Sequence, residues 1–432
     1  MTNSAPAFLW RLAPSIYGPS VLFSLGEYAI LPLVAVIAVE MGASIALAGV
    51  IASAAVVGQV LGNLPASWVV SRAGERAAML LAAAVALLGC LGVAFAPTPA
   101  LLGAAVLVIG FAAASFGLAR HAFMTTRVPL HFRARALSLL GGTNRLGRFI
   151  GPFLAAAMIA ATGDPEAPVW AFAACLVLAA ALVAWAPNPE RAAPDPERAA
   201  PDASADGSAR STVSRTASRT TPSESRPGVL GAVRDGGAAL LRIGGASAIL
   251  SGMRSIKDVL LPLWGVSIGL DATQVALVVG ISGTVDFLFF YTSGQIMDRF
   301  GRLWASLPAM VVMAIGFLVL AGTHDLPGAG VWLLVIAIVV GLGNGLSSGI
   351  NMTLGADLAP ADHPAPFLAA WRTLTDFGGA VAPLAVSGLA AVSLPVASVA
   401  AGLLAVAGAV GFGRWIPRYL PHVGRRPPRS AD

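Results

Sequence analysis

The sequence predicts an all-α integral membrane protein with twelve transmembrane helices in two pseudo-symmetric six-helix bundles. The first observation is composition: 57% of the 432 residues are hydrophobic and 11% are charged, whereas a soluble domain has about 25% charged residues. The second is a series of long apolar runs, and the third is a resemblance between the two halves of the chain. With a mean hydropathy of +0.80, most of the chain is expected inside a lipid bilayer.

Each apolar run is close to, or longer than, the roughly 20 residues that a helix needs to cross the hydrocarbon core. Gly, Pro or charged residues separate the runs. In chain order, predicted spans 1 to 12 cover residues 14–39, 45–70, 77–96, 100–122, 136–162, 168–186, 243–268, 274–297, 303–322, 331–355, 366–391 and 395–413. An even number of spans puts both termini on the same side of the membrane.

Lys and Arg occur in the connections on one side of the predicted bundles only. They include Arg72 and Arg76 between spans 2 and 3, and Arg299 and Arg302 between spans 8 and 9. The connections on the other side contain no Lys or Arg. Because basic connections remain cytoplasmic, we expect both termini in the cytoplasm, in a multi-pass protein of a prokaryotic cytoplasmic (inner) membrane.

A polar stretch separates the two halves. It is rich in Pro, Ser, Thr, Arg and acids, and the heptapeptide PERAAPD occurs twice in succession from Pro189. Such a composition buries too little apolar surface to order itself. We therefore predict a first bundle over residues 1–186, a disordered cytoplasmic linker over 187–228, a second bundle over 229–416 and a cytoplasmic tail over 417–432.

The two halves resemble each other at a nearly constant displacement. EYAILPL at 27–33 aligns with KDVLLPL at 257–263, displaced by 230 residues. A displacement of 231 relates two pairs of prolines, Pro129 with Pro360 and Pro152 with Pro383. Parallel repeats of this kind place a binding site near the membrane midplane, between the halves.

The connection after span 8 reads GQIMDRFGR from Gly294 to Arg302. It resembles the G-x-x-x-D-R-x-G-R loop of the major facilitator superfamily, and it falls on the predicted cytoplasmic side, as that family requires. Glycine allows the tight turn, and the charged side chains can pair with neighbouring helix ends. The resemblance implies the major facilitator fold, a small-molecule substrate and a gating loop formed by Asp298, Arg299, Gly301 and Arg302.

The equivalent connection of the first half reads SWVVSRAGER from Ser67 to Arg76. It keeps Arg72 and Gly74 of the family pattern and has Ser71 where the family has Asp. We therefore expect gating to depend more on Asp298 than on this connection.

Span 5 contains GRFIGPFLAA from Gly147. It is similar to the G-x-x-x-G-P-x-x-G-G element of the superfamily's drug-proton antiporter branch, with Ala in place of the last two glycines. Small residues allow close helix packing, and proline kinks a helix, so Gly147, Gly151 and Pro152 form the predicted helix-5 element. It favours an exporter. The Arg usual in span 4 of that branch is absent, because Val106 occupies the place four residues before Gly110.

Charged residues form a layer near the predicted midplane, roughly 13 to 21 Å from the cytoplasmic helix ends at 1.5 Å per residue. The layer contains Glu27, Arg145, Arg148, Lys257, Asp258 and Asp376. Arg254 with Asp258, and Arg372 with Asp376, have the i,i+4 spacing that allows pairing on one helix face. The repeat suggests two further pairs between the halves, Glu27 with Lys257 and Arg145 with Asp376.

Two acids, Glu27 and Asp286, have no base within one turn of their own helix. Because burial disfavours the charged form of a carboxyl, such a group can exchange a proton near neutral pH. We predict proton coupling by Glu27 first, and by Asp286 and Asp376; a structural pairing of Glu27 is the alternative. The predicted substrate cavity contains Arg145, Arg148, Lys257, Asp258, Arg372 and Asn344. His121, beside Arg120 near the end of span 4, is interpreted as interfacial.

The leading hypothesis is a secondary transporter that exports small amphipathic, drug-like compounds, with the proton as coupling ion and no other cofactor. The alternative is a carrier of organic anions or sugar-like metabolites, because the core is basic. An enzyme, a metal site and a nucleic-acid partner are not expected, since no HExxH, GxSxG, P-loop or Cys/His cluster occurs. A non-transporting scaffold or receptor has no need of a buried unpaired acid. We expect a monomer.

Overall fold

A computed structural model describes residues 13–128, 130–185, 236–360 and 364–420. All regular elements in these residues are helices. The first half contains α1 (Gly18–Ile30), α2 (Val34–Glu40), α3 (Ile45–Ala94), α4 (Pro99–Arg127), α5 (Leu130–Thr162) and α6 (Ala167–Trp185). The second half contains α7 (Gly245–Ser267), α8 (Ala272–Phe300), α9 (Leu303–Leu320), α10 (Ala329–Leu346), α11 (Ile350–Leu358), α12 (Pro364–Leu389) and α13 (Leu394–Tyr419).

The helices follow the predicted spans with two differences. Predicted span 1 is divided into α1 and α2 by a 3-10 turn, Leu31–Leu33, which contains Pro32. Predicted span 10 is broken between α10 and α11, where Gly349 has a φ of +76°. Helix α3 contains both predicted spans 2 and 3, and its backbone is non-helical at Gly74, between them, as the prediction of two spans requires. Proline explains the first difference; the break in span 10 was not predicted.

Eight helices of the described chain are long and apolar enough to cross a membrane by length and composition. The three long helices outside this group are α5, α7 and α12. They carry most of the charged residues that the sequence places near the midplane: Arg145, Arg148, Arg254, Lys257, Asp258, Arg372 and Asp376. With these three, the described residues contain eleven long helical segments, so the all-α membrane fold is confirmed, while the count of twelve spans stays a prediction.

The two equivalent loops have the same backbone conformation. Gly74 has φ 80° and ψ 168°, and Gly301 has φ 96° and ψ 169°. A positive φ is accessible to glycine at little cost, whereas other residues are strained there. The turn is therefore present in the first half even though its sequence departs from the family pattern at Ser71.

Helix packing repeats between the halves. In the first half α1 packs against α5 and α6, and in the second half α7 packs in the same way against α12 and α13. A π-helical turn precedes both α1 and α7, at Ala13–Tyr17 and Leu240–Gly244. The pseudo-symmetry inferred from the sequence is therefore present in the packing.

The halves contact each other mainly through α5 with α8 and through α3 with α12, and also through α2 and α3 with α7. Residues Val34 to Ala38 of α2 are at most 4% exposed. Nearby, a Cβ at Gly49 of α3 would lie 2.6 Å from Ser387 Oγ and 2.9 Å from Leu263. These contacts close the interface on the side of the bundle away from the start of α1.

The predicted linker at 187–228 and residues 421–432 of the predicted tail lie outside the described residues. Helix α13 continues to Tyr419, beyond the predicted end of the second bundle at residue 416. The boundaries of the four predicted segments stay predictions.

Close backbone contact between α3 and α4 predicts a stability effect at Gly110. A Cβ there would lie 1.9 Å from the Ala55 carbonyl oxygen, so Gly110→Ala should lower the free energy of unfolding by about 1–3 kcal/mol through overpacking. Gly117→Ala is the matched control, because no atom lies within 4 Å of its Cβ position in the same helix. Thermal unfolding in detergent measures both variants, and equal losses would contradict this packing.

Candidate functional site

A cavity of about 310 Å³ lies between the two halves. Helices α1, α3, α4 and α5 of the first half and α7 and α12 of the second half contribute to its wall. Three aromatic side chains, Phe23, Tyr28 and Phe116, face it. Its polar wall contains Ser24, Glu27, Gln59, Asn63, Arg120, His121, Asn144, Ser251, Ser255, Arg372 and Asp376.

Glu27 is 8% exposed and lines this cavity. Its Oε1 accepts a hydrogen bond from Gln59 Nε2 at 3.4 Å. Arg120 is its strongest positive neighbour, followed by Arg148, but among the described residues no cation forms a direct ion pair with Glu27. The suggested pair with Lys257 is wrong, because Lys257 Nζ lies 2.9 Å from Asp258 Oδ1 instead.

The crossing of α1 and α5 sets the position of Glu27 and its neighbours. A Cβ at Gly147 would lie 2.5 Å from Ser24 Cβ, and a Cβ at Gly151 would lie 2.8 Å from Leu25 O. Glycine at both places lets the two backbones approach closely. The crossing brings Tyr28 next to Arg148, whose Nη2 donates to the Tyr28 hydroxyl at 2.8 Å.

Arg120 is the arginine of the cavity wall that the sequence analysis did not assign to the site. It is 6% exposed, and its Nη2 donates to Asn144 Oδ1 at 2.8 Å, which also accepts from Ser24 Oγ at 2.6 Å. Its Nε is buried without a hydrogen-bond partner among the described residues. The available signal was its position: Arg120 lies two helical turns before α4 ends at Arg127, roughly 10 Å inside the helix.

His121 also belongs to this wall and not only to the membrane interface. Its ring Nδ1 lies 2.9 Å from the Gly117 carbonyl oxygen, one helical turn earlier. Like Arg120 it lines the cavity.

A second group of charges joins α5 to α7. Arg148 Nη1 lies 3.2 Å from Asp258 Oδ2, and Lys257, only 2% exposed, pairs with the same carboxylate. One carboxylate therefore neutralises part of the charge of two cations. The expected pair of Arg254 with Asp258 is not formed, because Arg254 donates to the Ser347 carbonyl and hydroxyl.

A third group joins α5 to α8. Arg145 Nη1 lies 3.8 Å from Asp286 Oδ1, and Asn344 Nδ2 donates to Asp286 Oδ2 at 2.8 Å. The Arg145 guanidinium also stacks over the Phe290 ring at 4.2 Å and donates to Ser348 Oγ. Asp286 thus obtains from the other half the counter-charge that its own helix lacks, and the suggested pair of Arg145 with Asp376 is wrong.

Asp376 is paired within its own helix, as its spacing indicated. Arg372 Nε lies 3.6 Å from Asp376 Oδ2, and Asn63 Nδ2 donates to the same oxygen from the first half at 3.3 Å. Of the predicted cavity residues, Arg372 lines this cavity. The others do not: Arg145, Arg148, Lys257, Asp258 and Asn344.

The predicted gating loop is tied to the end of predicted span 10. Arg302 Nε lies 2.8 Å from Asp357 Oδ2 of α11, and its Nη1 donates to the Met297 carbonyl at 3.0 Å. Asp298 lies 3.7 Å from Arg302 and is 85% exposed, so that pair adds little stability. Arg299 lies over the Phe300 ring.

In the first half the equivalent contacts use other partners. Arg72 stacks over the Trp68 ring at 4.8 Å, and Arg76 donates to the Ala184 carbonyl of α6. Gly74 has the same backbone conformation as Gly301, but position 71 is a serine and supplies no acidic side chain to this loop.

Long apolar helices, a charged cavity between two similar halves and two matching loops define a multi-pass membrane transporter. Residues 20–383 match the family model of the Major Facilitator Superfamily. The chain therefore belongs to this superfamily, whose members are transporters and not, in general, enzymes. No curated protein matches the sequence.

Two solved structures have the same fold. The first is a crystal structure of a POT family transporter in complex with a thioalcohol-conjugated peptide, with 12% identity, a TM-score of 0.72 and 96% of each chain covered. The second is a crystal structure of a D-xylose-proton symporter, with 16% identity and a TM-score of 0.66, covering 97% of this chain and 99% of the symporter. At these identities the likeness shows the fold alone, and the predicted major facilitator fold is confirmed.

The contact of Arg145 with Asp286 predicts that its loss destabilises the protein. Asp286→Asn keeps the shape of the side chain but leaves a guanidinium without its counter-charge, and the expected loss of unfolding free energy is roughly 1–3 kcal/mol. Asp325→Asn is the control, since Asp325 is 96% exposed and should change stability by less than about 0.5 kcal/mol. Thermal unfolding in detergent measures the effect. A double variant that also carries Arg145→Gln should lose less than the two single losses combined.

Proposed function

We propose that the protein is a proton-coupled secondary transporter of small amphipathic molecules, and that Glu27 takes up and releases the coupled proton. The observation that supports this is a buried carboxyl in the wall of a central cavity, with an amide and not a directly paired cation as its hydrogen-bond partner. A carboxylate in such surroundings is weakly compensated, so the charged and neutral forms can both be reached. A proton carrier needs both forms.

Alternating access follows from the same arrangement. The contacts of α2 and α3 with α7 and α12 seal one side of the interface, while the cavity lies on the other side. With both termini in the cytoplasm, as the distribution of basic residues favours, the cavity faces the cytoplasm. Rocking of one half against the other would transfer Glu27 from one compartment to the opposite one.

Export of drug-like compounds is the first candidate for direction and cargo. The aromatic wall at Phe23, Tyr28 and Phe116 suits an amphipathic ligand, and the helix-5 element resembles that of drug-proton antiporters. Gly147 has a packing role as well. Its repeat equivalent Gly378 makes the same kind of contact with Ala248 of α7, at 2.3 Å from a Cβ, so the exporter assignment rests on the resemblance alone.

Organic anions are the second candidate, and Arg120 is the observation that favours them. In the sequence the basic core comes from Arg145, Arg148, Lys257 and Arg372, but in the structure these cations are paired with Asp286, Asp258 and Asp376. Arg120, in contrast, lines the cavity and has a donor without an acceptor.

Glu27→Gln tests the proton assignment. The glutamine keeps the size and the hydrogen-bonding capacity of the side chain but cannot exchange a proton, so folding and substrate binding should persist while pH-driven transport is lost. In proteoliposomes with an imposed pH gradient, an internal pH dye measures the proton flux, and accumulation of the added compound measures the substrate flux. Glu166→Gln, in the exposed turn before α6, is the matched control. Uphill transport by Glu27→Gln at the unaltered rate would refute the assignment.

A charge panel separates the two candidate cargoes. Everted vesicles containing the protein would be offered tetraphenylphosphonium, a lipophilic cation, and naphthalene-2-carboxylate, an aromatic anion of comparable apolarity. Saturable transport of the cation supports drug export, and saturable transport of the carboxylate supports the second candidate. Transport of neither above control vesicles would count against both.

A further inference from the structure

We propose that Arg120 is the anion-binding residue of the cavity and that the cargo is a small aromatic or otherwise amphipathic organic acid whose carboxylate binds to this guanidinium. The inference rests on the proposed transport function and selects the second of its two candidate cargoes. It concerns a residue that neither the sequence motifs nor the family resemblance pointed to.

The first argument is the incomplete compensation of the Arg120 guanidinium. Arg120 is 6% exposed and lines the cavity; one terminal nitrogen donates to Asn144, and Nε is enclosed without an acceptor among the described residues. Because a buried guanidinium without a direct counter-charge is costly, an anion that reaches its terminal nitrogens from the cavity would be stabilised. A carboxylate is the group that fits best, because guanidinium binds it through two parallel hydrogen bonds.

The second argument is the balance of charge around the cavity. Its wall contains two cations other than histidine, Arg120 and Arg372, and two acids, Glu27 and Asp376. Arg372 and Asp376 pair with each other. Arg120 and Glu27 both line the cavity and form no direct ion pair within the described residues, so no acid of the wall neutralises Arg120 by contact.

The third argument links the anion to the proton site. The polar and charged groups around Glu27 are Tyr28 on its own helix, Gln59 on α3, Arg120 and His121 on α4, Arg148 on α5, and Arg372 and Asp376 on α12. Arg120 is the strongest of the cations acting on it. When Glu27 and His121 are both neutral, the wall carries one net positive charge. A ligand carboxylate then has no charged Glu27 competing with it for Arg120.

Binding of acid and proton should therefore be mutually favourable. A carboxylate on Arg120 makes the charged form of Glu27 less favourable, and by reciprocity a neutral Glu27 strengthens carboxylate binding. This linkage loads proton and acid together, as in cotransport, and opposes an exchange of one for the other.

The apolar part of the cavity sets the size of the acid. Phe23 and Phe116 stack with ring centroids 4.5 Å apart, and both line the cavity. The volume of about 310 Å³ is at the small end of ligand pockets, which span roughly 300–1,000 Å³. One or two fused rings with a carboxylate suit this space better than an extended chain.

The experiment uses three probes with the same ring system and different charge: naphthalene-2-carboxylate, naphthalene-2-carboxamide and 2-naphthylmethylammonium. Calorimetry measures their binding to the purified full-length protein in detergent. The carboxylate should bind most tightly. Arg120→Gln should weaken carboxylate binding about tenfold to 100-fold, as expected for loss of a hydrogen bond to a charged group, and should leave carboxamide binding nearly unchanged.

Two further variants keep the test decisive if Arg120→Gln does not fold. Asn144→Asp is nearly isosteric and puts a carboxylate against Arg120, so it should also abolish the preference for the anionic probe. Glu27→Gln should bind naphthalene-2-carboxylate more tightly than the unaltered protein, because it removes the competing negative charge. Arg242→Gln is the matched control: this exposed arginine contacts Tyr419 and Trp415 outside the cavity, and carboxylate binding should be unaffected.

Three results would overturn the inference: equal binding of the carboxylate by Arg120→Gln and the unaltered protein, tighter binding of the ammonium probe, or no binding of the carboxylate at all. They are separable from failure of the proposed function. Loss of pH-driven transport in Glu27→Gln together with unchanged carboxylate binding in Arg120→Gln would support the transporter and refute the anion site. Selective carboxylate binding by a protein that shows no pH-driven flux in proteoliposomes would support the anion site and refute the transporter, and intact coupling in Glu27→Gln would refute only the assignment of the proton to Glu27.

Discussion

The structure depends on how charged side chains are accommodated inside a bundle that is otherwise apolar. An ionised residue at the centre of a membrane helix costs about 2.5–3.5 kcal/mol on insertion scales, and this chain has several. Two ion pairs form between the two halves, Arg148 with Asp258 and Arg145 with Asp286. The interface between the halves is therefore held together by charge as well as by shape, and α5 is the helix that carries both arginines.

The cavity differs from the rest of the interface because two of its charged side chains, Glu27 and Arg120, have no direct ion pair among the described residues. Within the described residues, Gln59 is the hydrogen-bond partner of the Glu27 carboxyl group, and Arg120 Nε has no acceptor. The two opposite charges occupy the same cavity wall without contact. A site with one acid and one base held apart can respond to both a proton and an anion, whereas a closed ion pair would respond to neither.

The sequence predicts the all-helical architecture correctly because the signals for it are local or repeated: apolar run length, the turn glycines Gly74 and Gly301, and the displacement of 230 to 231 residues. It also gave the pair of Arg372 with Asp376, which is one turn apart on a single helix. It failed for partners on different helices. Symmetry suggested Glu27 with Lys257, but Lys257 found a partner at the adjacent residue, Asp258.

Arg120 shows the same limit. The sequence places it beside His121 near the end of predicted span 4, whereas the cavity between the halves determines its surroundings. Residue type and spacing describe one helix at a time. The packing of α1 on α5 through Gly147, which orders Asn144 and Tyr28 around the site, is a property of two helices together.

The break in predicted span 10 has a consequence for the robustness of the second half. Between α10 and α11 the helical ladder is interrupted at Ser347, Ser348 and Gly349. Side chains of three other helices reach the groups at the gap: Arg254 from α7, Ser293 from α8 and Arg145 from α5. Backbone oxygens at the break accept hydrogen bonds from Arg254 and Ser293 of the same half. Arg145 of the opposite half donates to the Ser348 hydroxyl. One of the contacts at this break therefore forms only when the two halves are assembled.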